Sequence, residues 1–296
     1  MAKFKNVHIF FCEGPHDAAF LALLLRKMLG YSRTQLKISD TPFPFSNIFR
    51  TSMINRSAED LRLDLAKRFF LPDFLLTRND TLVMIFNSGG TSRRGELVAP
   101  FLADTFALGS VSSVFGEGPS SANVFYSIFT DADSTGSSLA LEQISRDLSL
   151  ISGQNWLNTE WAAFGDTRAV YQTTSNGPVS AYVWKHWSND YGTLEDIILE
   201  CFLNDGEIQQ TFDFLDQRFS WVVQDQSKKK EVIALAAKRL KAAFCIGGQR
   251  EKPGASLSVI LDQTKLFSAE ILEKSQSVRD CVKYLELWLN QDESVS

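Results

Sequence analysis

A run from Val124 to Gly136, Val-Phe-Tyr-Ser-Ile-Phe-Thr-Asp-Ala-Asp-Ser-Thr-Gly, sets the strongest limit on how this chain can fold. Residues Val124–Phe129 are uncharged and rich in β-branched and aromatic side chains, which predicts a strand buried on both faces. Asp131 and Asp133 arrive where that strand ends. In an extended or turning backbone both carboxylates reach one crevice, where their repulsion raises a pKa unless a cation intervenes. A hard divalent ion suits such oxygens; the bland alternative is a solvated turn with an Asx cap. Gly136 then gives a turn, and Ser137–Leu150, with Leu141, Ile144, Leu148 and Ile151 in phase, predicts an amphipathic helix. In open α/β sheets, ligands collect at such strand carboxyl ends.

The same arrangement recurs along the chain. Val7–Cys12 predicts a first buried strand and Ala18–Met28 a helix ending at Gly30, with Glu13-Gly14-Pro15-His16-Asp17 between them. Gly14 permits a tight turn, and Asp17 suits either a helix cap or a ligand; Glu13, directly ending an apolar strand, has no local capping task. Leu82–Phe86 is a third apolar run, followed by Asn87-Ser88-Gly89-Gly90 and a helix from about Glu96 to Leu108. This repetition predicts an α/β fold with a parallel sheet and right-handed crossovers.

Between these units, residues 31–56 contain Pro42 and Pro44 without clear periodicity and predict a loop-rich connection. Ser57-Ala58-Glu59-Asp60 resembles a capping box, continued by Leu61, Leu65 and Phe69 until Pro72. Arg50, Arg56, Arg62, Lys67, Arg68 and Arg78 make this region locally basic, as a solvated face or a nucleic-acid contact. Trp161–Thr173 and Val179–Trp187 bracket Ser175-Asn176-Gly177-Pro178 as a hairpin, and Thr193 opens a helix carrying Ile197, Ile198, Cys201 and Phe202. Residues 207–245 are helical in pattern, broken by Gly247-Gly248 to Gly254, and Ala269–Leu289 predicts one closing amphipathic helix. The division that follows is a catalytic unit over 1–205, with an insertion at about 31–80, and a helical C-terminal region over 206–296.

The 296 residues, 44% of them hydrophobic, suffice for a substantial core, and a net charge of −5 gives no global reason for indiscriminate nucleic-acid binding. Any such partner must be held by metal ions or by a local basic patch. Lys228, Lys229, Lys230, Lys238 and Arg239 form the candidate patch. Cys12, Cys201, Cys245 and Cys281 show no paired ligand spacing, and His8, His16 and His186 are too few and scattered for a histidine-based metal site. The N-terminus lacks a signal-type run and no apolar segment reaches transmembrane length, so the expectation is a cytoplasmic protein with free thiols and no membrane association. The 23 phenylalanines exceed the expected needs of the core and raise the expectation of an interface, including a homo-oligomeric one.

The acidic pairs Glu13/Asp17, Asp131/Asp133 and Glu195/Asp196 each fall at a strand end or helix start, and in a parallel sheet they converge on one edge. At this point the chain resembles a Toprim domain, the catalytic fold shared by topoisomerases, bacterial primases and overcoming-lysogenization-defect (OLD) family nucleases. The resemblance rests on Phe11-Cys12-Glu13-Gly14-Pro15-His16-Asp17 for the Glu-Gly motif and Ile128-Phe129-Thr130-Asp131-Ala132-Asp133 with Gly136 for the Asp-x-Asp motif. Asn87-Ser88-Gly89-Gly90 is similar to the glycine-rich turn between them, and Gly192-Thr193-Leu194-Glu195-Asp196 to a late acidic motif of OLD-type and small stand-alone Toprim proteins. Lys252–Leu257 is more weakly similar to their closing region.

The resemblance implies a Toprim-like Rossmannoid parallel sheet flanked by helices, and a Mg²⁺- or Mn²⁺-dependent nuclease cutting DNA or structured RNA, in the manner of a toxic effector of bacterial anti-phage defence. It assigns Asp131 and Asp133 to one metal, and Glu13, with Asp17 or Glu195, to a second metal or to general-base work. Lys185 would stabilise charge developing on a phosphate, unless it is an ordinary exposed strand lysine, and His16 would contact a phosphate, unless its place at the helix start is incidental. No Gly-x-x-x-x-Gly-Lys-Ser/Thr fingerprint occurs, so the ATPase half of OLD nucleases is absent from this polypeptide, which leaves regulation to a separate ATPase or regulatory chain, to oligomerisation, or to nothing. The competing readings are a nucleotidyl or phosphoryl transferase and a catalytically silent binding module.

Overall fold

The computed structural model describes residues 4–57, 70–114, 122–151, 153–203, 205–221, 223, 225 and 227–291. In chain order the first half runs β1 (Asn6–Cys12), α1 (Pro15–Lys27), β2 (Ser32–Arg33), α2 (Phe45–Ser57), β3 (Phe74–Arg78), β4 (Thr81–Asn87), α3 (Arg94–Val114), β5 (Asn123–Asp131) and α4 (Ser137–Leu148). The short strands β6 (Leu150–Ile151), β7 (Gln154–Asn155) and β8 (Ala162–Ala163) precede the hairpin β9 (Val170–Thr174) and β10 (Gly177–Trp184). Helices α5 (Leu194–Glu200), α6 (Gly206–Arg218), α7 (Lys229–Gln249), α8 (Leu257–Gln263), α9 (Ala269–Leu272) and α10 (Gln276–Leu289) complete the chain.

One eight-stranded sheet in the order β2-β3-β4-β1-β5-β10-β9-β8 organises the molecule. Its centre is parallel, as the repeated strand–loop–helix units predict: β1 pairs in parallel with β4 and β5, and β5 with β10. Its margins are antiparallel, because β3 turns directly into β4 and β9 directly into β10 without a helical crossover. Gly177, at φ +108°, supplies the backbone that starts β10 after the expected hairpin turn.

Side chains alternate across this sheet and build a core on each face. Val7, Ile9 and Phe11 of β1 join Tyr126 and Ile128 of β5 and the inner residues of α2, α3 and α4. Phe10 and Cys12 join Phe125, Phe129 and the inner residues of α1, α5, α7, α8 and α10 on the other face. Residues from both sides of position 205 share that second core, so the C-terminal helices cover the sheet directly. The phenylalanines are largely accounted for by these cores; Phe214 and Phe219 are the large exposed ones among the described residues.

Several local expectations change. The segment expected to be loop-rich contains α2: Pro42 and Pro44 precede its first turn, where no amide proton is required, and their carbonyls accept from Ser46 and Ile48. The capping-box helix placed at Ser57–Phe69 lies outside the described residues beyond Ser57, as do Arg62, Lys67 and Arg68. Gly247 and Gly248 do not break α7, which runs through them to Gln249. A Cβ at Gly248 would sit 2.5 Å from Ile260, so this glycine admits the close approach of α8. The closing helix is two, because Ser275 caps a new N-terminus by accepting from the amide of Val278. Among the described residues no helix is long and apolar enough to cross a membrane.

Candidate active site

Strand register fixes the site. Cys12, at the end of β1, lies opposite Asn87 of β4 and Phe129 of β5, and Phe129 lies opposite Tyr182 of β10. The residues at these strand ends therefore share one rim: Glu13 after β1, Ser88-Gly89-Gly90 after β4, and Asp131 at the end of β5 with Asp133 just beyond it. Ser88 ties two of these ends together, its amide and hydroxyl both donating to the Cys12 carbonyl at 3.0 Å, and the Gly90 amide donates to the Glu13 carbonyl at 2.7 Å. Gly89 and Gly90, at φ +74° and +121°, make the turn that permits this.

Glu13, Asp17, Asp131 and Glu195 line one cleft of about 270 Å³ with Gly14, His16, Gly90 and Lys241. Asp131 and Glu195 continue into an adjoining cleft of about 370 Å³, where Asp133, Thr193, Lys230, Lys238 and Lys241 join them. The predicted metal set is thus brought to one place, with Asp133 exposed at its mouth. Asp133 has φ +49°, a left-handed backbone that Asp tolerates better than most residues. A two-way backbone bridge to Gly192 holds it, each amide donating to the other's carbonyl at 2.9 Å. Gly192 is equally constrained: at φ +129°, a Cβ there would lie 2.8 Å from both the His186 nitrogen and the Asp196 carboxylate.

The helix starts sort the remaining acids. Asp17 and Asp196 stand at equivalent places, each accepting at 2.8 Å from the amide three residues earlier, Gly14 and Thr193 respectively. Asp17 is nevertheless buried among the other rim acids, whereas Asp196 lines a different cleft, with Leu199, Asp216 and Arg239. Glu195, beside it, supplies the cleft carboxylate. Asp131 accepts from the Leu194 amide at 2.8 Å, which locks the end of β5 to the start of α5.

Burial and like charge raise the proton affinity of Asp17, Asp131 and Glu13. Burial, then Glu13 and Glu195, push Asp17 from 3.8 up to about 7. Burial, then Asp17, Glu195 and Glu13, push Asp131 well above the usual carboxylate range. Glu13 is raised by burial, a shift opposed by its hydrogen bond from the Thr130 hydroxyl at 3.1 Å. Thr130 in turn accepts from Arg94 at 3.2 Å, a buried guanidinium that also pairs with Asp147 at 3.2 Å. Burial lowers His16.

Among the described residues, no three acidic, imidazole or thiol groups are drawn in around a single ion position. An ammonium stands among the carboxylates: Lys241 of α7 reaches Glu195 at 3.1 Å. Burial pulls that lysine down, but Glu195, with Asp131 and Asp17, raises it above its ordinary value overall. The donor set is made of hard carboxylate oxygens without thiolate or, apart from His16, imidazole, and a cation already sits among them. Both features fit Mg²⁺ or Mn²⁺.

Of the expected basic contacts, Lys230 and Lys238 line the cleft of about 370 Å³ together with Asp131 and Asp133. Lys228 pairs with Glu231 at 3.2 Å, and Lys229 is exposed at the start of α7 outside both clefts. Arg239 points elsewhere, held by both oxygens of Asp216 at 2.7 and 2.6 Å over the Phe212 ring. Lys185 lies outside both clefts, paired with Asp190 at 2.7 Å beside the start of α4. Sequence reasoning assigned no place in the acidic site to Lys241, Thr130 or Arg94. Lys241 carried a signal, since Lys230, Ala234, Ala237, Lys238 and Lys241 share one face at helical spacing; Arg94 carried none.

No protein-family model matches the chain, and no curated protein matches it. A crystal structure of a hypothetical protein from Pyrococcus horikoshii OT3 is similar at 13% identity and a TM-score of 0.45, over 96% of this chain and 95% of that one.

Proposed function

We propose that the chain is a Mg²⁺- or Mn²⁺-dependent phosphodiesterase acting on nucleic acid through a Toprim-like site. The observation that carries this reading is the meeting of Glu13, Asp17, Asp131 and Glu195 in one cleft, which adjoins a second where Asp131 and Glu195 share the lining with Lys230 and Lys238. Acids alone describe a cation site; acids beside lysines describe a place where a polyanion meets a cation. Asp131 and Glu195, which line both clefts, would hold such an ion, with Asp133 or Asp17 as a further oxygen ligand. When bound, that ion supplies an activated water and neutralises charge on the phosphate. Lys230 and Lys238 attract and position the phosphate backbone. Glu13, more basic than an ordinary carboxylate and oriented by Thr130, takes the proton of the attacking water. A separate ATPase or regulatory protein that gates this activity belongs to the same proposal.

The ion pair between Lys241 and Glu195 favours one competing reading, a binding module whose acids are neutralised internally. Purified protein incubated with plasmid, single-stranded DNA and bulk tRNA, each with Mg²⁺, Mn²⁺ or chelator, separates the two. Cleavage that needs metal and disappears in Glu13→Ala and Asp131→Ala supports the enzyme and names its polymer. Unimpaired cleavage by both folded variants removes the assignment. Absence of Mn²⁺ binding that depends on Asp131 and Asp133 favours the module.

A further inference from the structure

Lys241 sits where the two clefts meet, since it lines both of them together with Asp131 and Glu195. Its ammonium is 3.1 Å from the Glu195 carboxylate, whose side chain is only 4% exposed, whereas that of Lys241 is 41% exposed. The acid is therefore fixed in the protein while the cation reaches in from the open side. The helix that carries it is anchored by the buried Leu240, Ala243 and Phe244 and by the contact of Gly248 with Ile260. Only the flexible four-carbon stem is free to reposition.

We infer that Lys241 is an internal counter-ion that occupies the cation position at Glu195 in the metal-free protein and is displaced when a divalent ion binds there. The inference rests on the metal-dependent reading given above. A divalent ion of the Mg²⁺ class binds carboxylate oxygens at about 2.0–2.1 Å and brings its own water shell, so at the Glu195 oxygen that Lys241 contacts it competes with the ammonium through like-charge repulsion and crowding. Displacement needs no refolding, because the stem swings toward solvent. The lysine thus prevents repulsion among the rim acids before metal arrives and sets a threshold of metal concentration for loading.

The test is Mn²⁺ binding by titration calorimetry on the full chain, in wild type, Lys241→Met and Lys241→Arg. Lys241→Met is expected to bind at least about tenfold more tightly, equivalent to roughly 1.4 kcal/mol, and to melt at lower temperature than wild type in chelator but not with saturating Mn²⁺. Lys241→Arg, which keeps the cation, is expected to behave as wild type. Equal or weaker Mn²⁺ affinity in folded Lys241→Met overturns the displacement while leaving the metal site standing. No Mn²⁺ binding in any of the three removes the site and this role together. If Lys241→Met does not fold, wild-type chain answers by amine acylation mapped by mass spectrometry. Mn²⁺ is expected to raise labelling of Lys241 several-fold, and unchanged or reduced labelling under saturating Mn²⁺ overturns the inference.

Discussion

Asp17 and Asp262 are both buried acids, and the protein treats them in opposite ways. Asp262, on α8, is met by Arg26 at 2.8 Å and Arg33 at 2.7 Å, so its charge is more than balanced where it lies. Asp17 accepts from the Gly14 amide, its charged neighbours include Glu13 and Glu195, and the cation it acts on, Lys241, is in contact with Glu195 instead. A structural carboxylate comes with its cations, as at Asp262, because an uncompensated buried charge is expensive. The rim departs from that rule at several positions at once, and the excess of acid there is what a ligand from outside would satisfy.

The strongest way to break this comparison is to neutralise both acids and compare the signs. Asp262→Asn leaves Arg26 and Arg33 without their charge partner and is expected to destabilise the chain by about 1–3 kcal/mol, since both arginines keep some access to water. Asp17→Asn keeps an oxygen for the Gly14 amide and removes repulsion, so the metal-free variant is expected to melt above wild type at pH 8. Thermal or urea melts in chelator measure both, and destabilisation of similar size at the two positions would erase the distinction drawn here.

A pH series sharpens the same contrast. Between 3.8 and about 7 the folded chain holds a proton on Asp17 that the unfolded chain has released, so this group's contribution to stability falls as pH rises through that window. His8 opposes it: burial holds this histidine neutral, lowering it from 6.5 to about 3, so its contribution is lost as pH falls below 6.5. The difference between wild type and Asp17→Asn isolates the first effect. In chelator, the advantage of the variant is expected to grow from pH 5 to pH 8, and a pH-independent difference would contradict the raised proton affinity. The smallest expected effect is at Lys185. Its ammonium is committed to Asp190 outside the clefts, so Lys185→Ala should change metal-dependent cleavage by no more than about twofold. A loss of a hundredfold would return it to the catalytic group that the family resemblance suggested.

The rim was legible in the sequence because it depends on local events. Each apolar run ends in an acid or a glycine turn, and parallel pairing of β1, β4 and β5 does the rest. What escaped depends on contacts between distant segments. Pro42 and Pro44 read as breakers because nothing local shows that the next residue begins a helix. Gly247-Gly248 read as a stop because the reason for a glycine there, Ile260, lies on another helix. Lys241 lay inside a basic run whose members look alike in sequence, and only the packing of α7 across α5 separates it from Arg239, on the opposite side and already paired with Asp216. Arg94 reaches the site through Thr130, from the first position of a helix whose start the sequence places two residues later, at Glu96.

Position 192 carries a consequence for the whole acidic edge. A methyl group there would collide with the peptide nitrogen of His186 on one side and the Asp196 carboxylate on the other, and the collision would be transmitted through the paired amides to Asp133. Saturation mutagenesis under selection for function should therefore return a single codon family at this residue, although it bears no chemistry of its own: the acidic loop keeps its aim only while that neighbour has nothing to offer but backbone.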